Sequence, residues 1–123
     1  MLVFIPLPDL PESFQYPREF VRTVELGLIN FEPWLILTGE ALFEKYIGLR
    51  QRYPGKGYVP FASKQDNDDV VCWTSGPTVL TVHDYASSGW ESRGRGYDDF
   101  NSWLRAAVEE YIFWGEMEKE HEQ

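Results

Sequence analysis

The feature that most constrains this chain lies near its end. Phe100, Trp103, Leu104, Ala107, Val108, Tyr111 and Trp114 recur at the i, i+3, i+4, i+7 spacing of one helix face. The pattern predicts a long amphipathic helix over about 98–118, with Asp98 as its cap. Side chains of that size need a partner layer to cover them. Phe113 falls opposite the stripe, so it is either exposed or covered by another chain. At 123 residues the chain is one domain long, enough to bury a single core without staples. A single domain over 1–123 is expected, ending at 116–123 in a frayed acidic tail or solvated helix end.

Strand patterns supply the partner layer. Val70-Val-Cys-Trp-Thr74 and Thr78-Val-Leu-Thr-Val-His83 flank Ser75-Gly-Pro77 and read as an antiparallel hairpin. Tyr58-Val-Pro-Phe-Ala62 reads as a short strand, and Pro60 places it at an edge or a bulge. Asn30 to Leu37 is an extended apolar run read as one strand. A helix is expected over about 17–26, with Pro17 in its first turn and Gly27 as its stop. A second is expected from an N-cap at Thr38 to about Arg52, with Leu42, Phe43, Tyr46, Ile47 and Leu49 as its apolar arc. Arg50 points into that arc and needs a carboxylate there. Asp84 to Gly96 reads as a loop with a short strand around Trp90. The order predicts an α+β fold, with helices packed on a small antiparallel sheet.

Twenty acidic residues against eleven basic ones give a net charge of -9 and a pI near 4.6. That balance argues against general nucleic-acid binding, which needs clustered cations. A single cysteine excludes an intramolecular disulfide and a multi-cysteine zinc site, and fits a reducing compartment. The opening Met1-Leu-Val-Phe-Ile-Pro-Leu7 has no basic region or cleavage site and is too short to span a bilayer. A cytoplasmic protein is therefore expected. Residues 45–64 carry five bases and no acid, residues 65–92 five acids and no base. The two stretches are expected to neutralise each other within the fold.

Chemistry-bearing groups are sparse. His83 and Asp84, with Ser87, Ser88 and Cys72 near in sequence, raise a small hydrolase as one reading. No Gly-x-Ser-x-Gly elbow is present, and neighbouring strand residues face opposite ways, so a structural role is the better expectation. Asp66-Asn67-Asp68-Asp69 begins like a calcium loop, but Val71 and Pro77 stand where a glycine and a bidentate glutamate are required. Gly94 and Gly96 lack the strand-before, helix-after context of a dinucleotide site. No catalytic residue, cofactor or metal is expected. Aromatic residues form 16% of the chain, and several fall among acids. Trp73, Trp103 and Trp114 fit core positions, whereas Trp34, Tyr85 and Trp90 fall in or beside loops. Loop aromatics rimmed by carboxylates suit a protein-binding surface, and the expected set is Asp66, Asp68, Asp69, Tyr85, Trp90 and Glu91.

Several segments, in order over about 10–114, resemble the SUKH superfamily of Smi/Knr-homology proteins. They are Leu10-Pro11-Glu12-Ser13-Phe14 leading to Phe20, the Tyr58–Ala62 strand, Asp66 to Trp73, and Thr81-Val-His-Asp-Tyr85 with Gly89-Trp90-Glu91. The closing Tyr97-Asp-Asp-Phe100 and Trp103-Leu104 complete the series. The chain departs from the pattern at its front, at Glu25-Leu-Gly-Leu28 and at Asn67. The resemblance implies a non-enzymatic interaction domain. Bacterial members resemble immunity proteins that neutralise a toxin of the same cell, often a nuclease, and fungal relatives are cell-wall regulators. A basic toxin domain is then the expected partner, and a regulatory module without a toxin partner is the alternative.

Overall fold

The computed structural model describes residues 3–74 and 76–121. Met1, Leu2, Ser75, Glu122 and Gln123, which enter the readings of the opening segment, the hairpin turn and the tail, lie outside the described residues. Helices α1 (Arg18–Glu25), α2 (Gly39–Arg52) and α3 (Phe100–His121) pack with strands β1 (Asn30–Phe31), β2 (Trp34–Ile36), β3 (Val59–Lys64), β4 (Asp69–Trp73), β5 (Val79–His83) and β6 (Ser92–Tyr97). The strands make one sheet in chain order, each antiparallel to the next. The fold is α+β with a long closing helix, as the periodicities predict.

Local chemistry explains most boundaries. α1 starts after Pro17, whose fixed φ suits the entry to a helix. It stops at Gly27, which takes φ +76° while its N–H donates to Val24 O. Pro60 sits at a bulge, as expected, but β3 is an interior strand between β2 and β4 and not an edge. The bulge leaves one residue out of the ladder, so a missing donor is tolerated there.

Four expectations are corrected. The run 30–37 is a two-stranded hairpin, because Glu32 and Pro33 turn the chain and pair Phe31 with Trp34. The segment after Trp90 is a full strand, β6, in which Gly96 lets the chain approach Val79 O closely; an added Cβ would lie 3.3 Å from it. The α3 cap is Asp99, whose Oδ1 accepts from Ser102 N–H at 2.8 Å, one residue after the expected Asp98. α3 also runs on to His121, three residues past the expected end at about 118.

Two apolar clusters flank the sheet, since β-strand side chains alternate. Val71 and Trp73 join Trp34, Ile36, Phe61 and Val79 against Phe20 of α1 and Phe100, Trp103 and Ala107 of α3. Val70, Cys72 and Val82 pack with Tyr58 and with Leu49 and Tyr53 at the end of α2. Leu42 and Tyr46 of α2 belong to the first cluster, so α2 serves both. Aromatic rings dominate the larger one: Phe61 and Trp73 lie 4.4 Å apart, Phe20 and Trp73 4.9 Å, and Phe61 and Trp103 5.0 Å. Trp34, expected near a loop, is buried on β2; its indole N–H donates to Glu110 Oε1 at 3.0 Å. Trp114, expected in the core, is only half-buried, and Ile47 and Arg50 of the expected α2 arc are exposed.

Trp103 closes the contact between α3 and the sheet. Replacing it with alanine removes a whole buried ring, and Trp103→Ala should cost about 3–5 kcal/mol in urea unfolding. Wild-type stability in that variant would show that α3 is not anchored there.

Candidate functional site

Hairpin β4–β5 positions the two segments that carry the expected surface. Asp69 pairs with His83 across the ladder, and Asp84 N–H donates to Asp68 O at 3.0 Å. The turn 65–68 and the loop 84–91 therefore stand side by side at one end of the sheet. Asn67 Oδ1 accepts from Asp69 N–H at 2.8 Å and folds the turn on itself.

Asp84 organises the loop from below. Its carboxylate has no solvent access and accepts four hydrogen bonds. Arg52 Nε and Nη2 each donate at 2.7 Å, Lys45 Nζ at 3.0 Å and Tyr85 N–H at 2.9 Å. Burial pulls the Asp84 carboxyl upward, but the bonds from Arg52 and Lys45 outweigh it and hold the group below the usual carboxylate range. The expectation that Arg50 makes the buried ion pair is thus corrected: Arg50 lies over the Tyr46 ring at 5.5 Å, and Arg52 makes the pair. Lys45 and Arg52 are seven apart, two turns along one helix face, and that spacing was the available signal. Gly48 completes the arrangement. A Cβ there would fall 2.5 Å from Arg52 Nη2, so a residue otherwise poor in a helix clears the path to Asp84.

Glu91 holds the far end of the loop. Its side chain is 2% exposed, Oε2 accepts from Tyr58 O–H and Oε1 from Gly89 N–H, each at 2.7 Å. The Tyr58 hydroxyl lowers the Glu91 carboxyl against the opposing effect of burial. Glu91 is consequently a buried brace and not the surface contact expected. Gly89 takes φ +94° to aim its N–H inward. Tyr53 O–H donates to Ala86 O at 2.7 Å, and Trp90 N–H to Ser87 O at 2.8 Å.

With its base fixed, the loop turns two aromatic rings outward. Trp90 is 75% exposed and Tyr85 63%. Tyr85 adopts φ +68°, which costs a non-glycine residue about 1–2 kcal/mol, and its bond to Asp84 offsets part of this. Its ring covers Arg52 at 4.3 Å and Lys45 at 5.5 Å. Beside it a shallow hollow of about 310 Å³ is lined by Leu37, Ala41 and Glu44 as well.

Of the five acids at 65–92, Asp84 and Glu91 are buried and Asp69 is bonded to His83 Nδ1 at 2.9 Å. Asp66 and Asp68 stay exposed, with no ion pair among the described residues. The structure thus leaves Asp66, Asp68, Tyr85 and Trp90 exposed on two adjoining segments and gives Asp69 and Glu91 internal partners. Cys72 is fully buried, with its thiol pushed well up by desolvation, and sits in the cluster on the α2 side. Among the described residues no three His, Cys, Asp or Glu side chains are grouped to hold a metal ion, and no helix is long and apolar enough to cross a membrane. Comparison of the chain with protein-family models, curated proteins and solved structures finds no match.

Two outcomes follow from the Asp84 network. A carboxyl depressed in the folded state stabilises above its unfolded pKa, near 4, and that contribution fades as pH falls toward the lower folded value. Asp84→Asn should therefore lose about 3 kcal/mol at neutral pH, the low end for a buried pair because both cations keep some access to water. Its deficit should shrink as unfolding is measured below about pH 4; a deficit independent of pH would refute the ion-pair account. Gly48→Ala should fail to deliver the roughly 1 kcal/mol that helix propensity promises, and should deliver it once Arg52→Leu has emptied the path. A full gain in the single variant would mean that Arg52 reaches Asp84 by another route.

Proposed function

We propose that this protein is a non-enzymatic binding domain of the SUKH kind that recognises another protein through Trp90, Tyr85, Asp66 and Asp68. One observation carries the reading: a tryptophan 75% exposed on a loop whose base is braced at Asp84, Ala86 and Glu91. A large apolar ring carried on a braced backbone favours association, because little loop freedom is lost when a partner covers it. The adjacent carboxylates give the surface its sign, and the chain's net charge of -9 steers cationic partners toward it.

A basic toxin domain, of the nuclease type, is the partner we favour, which makes the protein an immunity protein acting in the cytoplasm. The groove of a nuclease must be basic to hold its substrate, so an acidic inhibitor meets it with complementary charge. The regulatory-module reading shares this surface and differs only in the partner.

Capture from the native host followed by binding kinetics tests the proposal. Added salt should slow association, and Trp90→Ala should mainly speed dissociation, with at least a tenfold loss of affinity expected for a hot-spot ring. Unchanged affinity in a folded Trp90→Ala, Asp66→Lys, Asp68→Lys variant would reject the surface. A captured partner without toxic activity would reject the immunity role and leave the regulatory one.

A further inference from the structure

A second surface lies on the last turns of α3, away from the loop 84–91. Among the side chains described in α3 the last buried one is Ala107, yet the helix continues to His121. Tyr111, Ile112, Phe113 and Trp114 are consecutive, and steps of about 100° carry them around most of the helix circumference. No rotation of the helix can therefore turn all four toward the sheet. Tyr111, Ile112, Phe113 and Met117 are exposed, Phe113 at 60%. A helix segment apolar on all sides is normally a covered one.

The uncovered turns border a groove of about 540 Å³ between α3 and the β1–β2 hairpin. Tyr111 and Ile112 supply its apolar part, Glu32 stands on the hairpin side, and Glu116 and Glu118 on the helix side. Lys119 is the single cation in the lining among the described residues. Charge decides between occupants. A second copy would bring the same glutamates against one another, with six acids and one base over residues 109–123 of each chain. A cationic occupant meets an apolar floor between acidic walls.

We infer that this groove docks a basic amphipathic helix, with apolar side chains on Tyr111 and Ile112 and flanking lysines or arginines against Glu32, Glu116 and Glu118. The inference stands apart from the loop surface and holds whatever Trp90 binds.

The test uses the full chain, isotope-labelled for NMR, with two synthetic helical peptides as probes. One repeats leucine and lysine in a seven-residue pattern, and the other replaces every lysine with glutamate. The lysine peptide should shift the amides of 111–119, and the glutamate peptide should not bind. Ile112→Ser with Phe113→Ser alters only exposed side chains, and Glu116→Lys with Glu118→Lys only the walls. Each pair should weaken the lysine peptide at least tenfold, whereas Trp90→Ala should leave it unchanged. Shifts confined to 66–68 and 84–91, or equal affinity in the variants, would overturn the inference, since general attraction to an acidic protein would then explain binding. A concentration-dependent dimer abolished by Ile112→Ser would overturn it in favour of a second copy.

Discussion

A carboxylate sealed from water, Asp84, governs how helix α2 and the loop 84–91 meet. Removing a carboxylate from water costs several kcal/mol unless charged donors replace the solvent. Here α2 supplies both, Lys45 and Arg52, so helix and loop are tied at one point. That tie also sets the backbone of Tyr85, whose N–H completes the shell and whose ring then lies over the same cations. Glu91 repeats the device at the other end of the loop with neutral donors, Tyr58 O–H and Gly89 N–H. Between the two braces Trp90 is carried outward, 75% exposed.

The sheet is the platform under this loop. Its aromatic face is filled by rings from α1, β3, β4 and α3, and its other face by a smaller cluster around Cys72. Large rings pack on the first of these faces at 4.4–5.0 Å, with little room for adjustment. Lys64, paired with Glu110 at 3.4 Å and set over Trp34 at 5.7 Å, fastens α3 to the strands at the point where the helix leaves the sheet. Beyond it the helix continues as an apolar, acid-flanked projection. The molecule therefore presents two unlike surfaces: a braced aromatic loop and a helix end with a groove.

Much of the architecture was legible along the chain because it depends on spacing alone. The stripe from Phe100, the alternation of 70–74 and 78–83, and the stop at Gly27 each reflect a local period or a backbone preference. Pro60 announced an edge or a bulge for the same reason, its missing donor. Nearness of the turn 65–68 to the loop 84–91 also followed from the hairpin, since antiparallel pairing brings Asp69 opposite His83.

Charges were legible only as a count. The acids at 65–92 look equivalent in sequence, yet burial takes Asp84 and Glu91 out of the surface, His83 engages Asp69, and Asp66 and Asp68 remain exposed. Trp34 was displaced from loop to core by the turn at Glu32 and Pro33, which converts one apolar run into two paired strands. Arg50 and Arg52 differ by two residues, and which one meets a carboxylate depends on where loop 84–91 docks against α2. Sequence by itself determined the three helices, the β4–β5 hairpin and the antiparallel character of the sheet, because periodicity and backbone preference act over a few residues. Tertiary structure alone decided which side chains face water, because burial and ion pairing are properties of segments far apart in the chain and close in space.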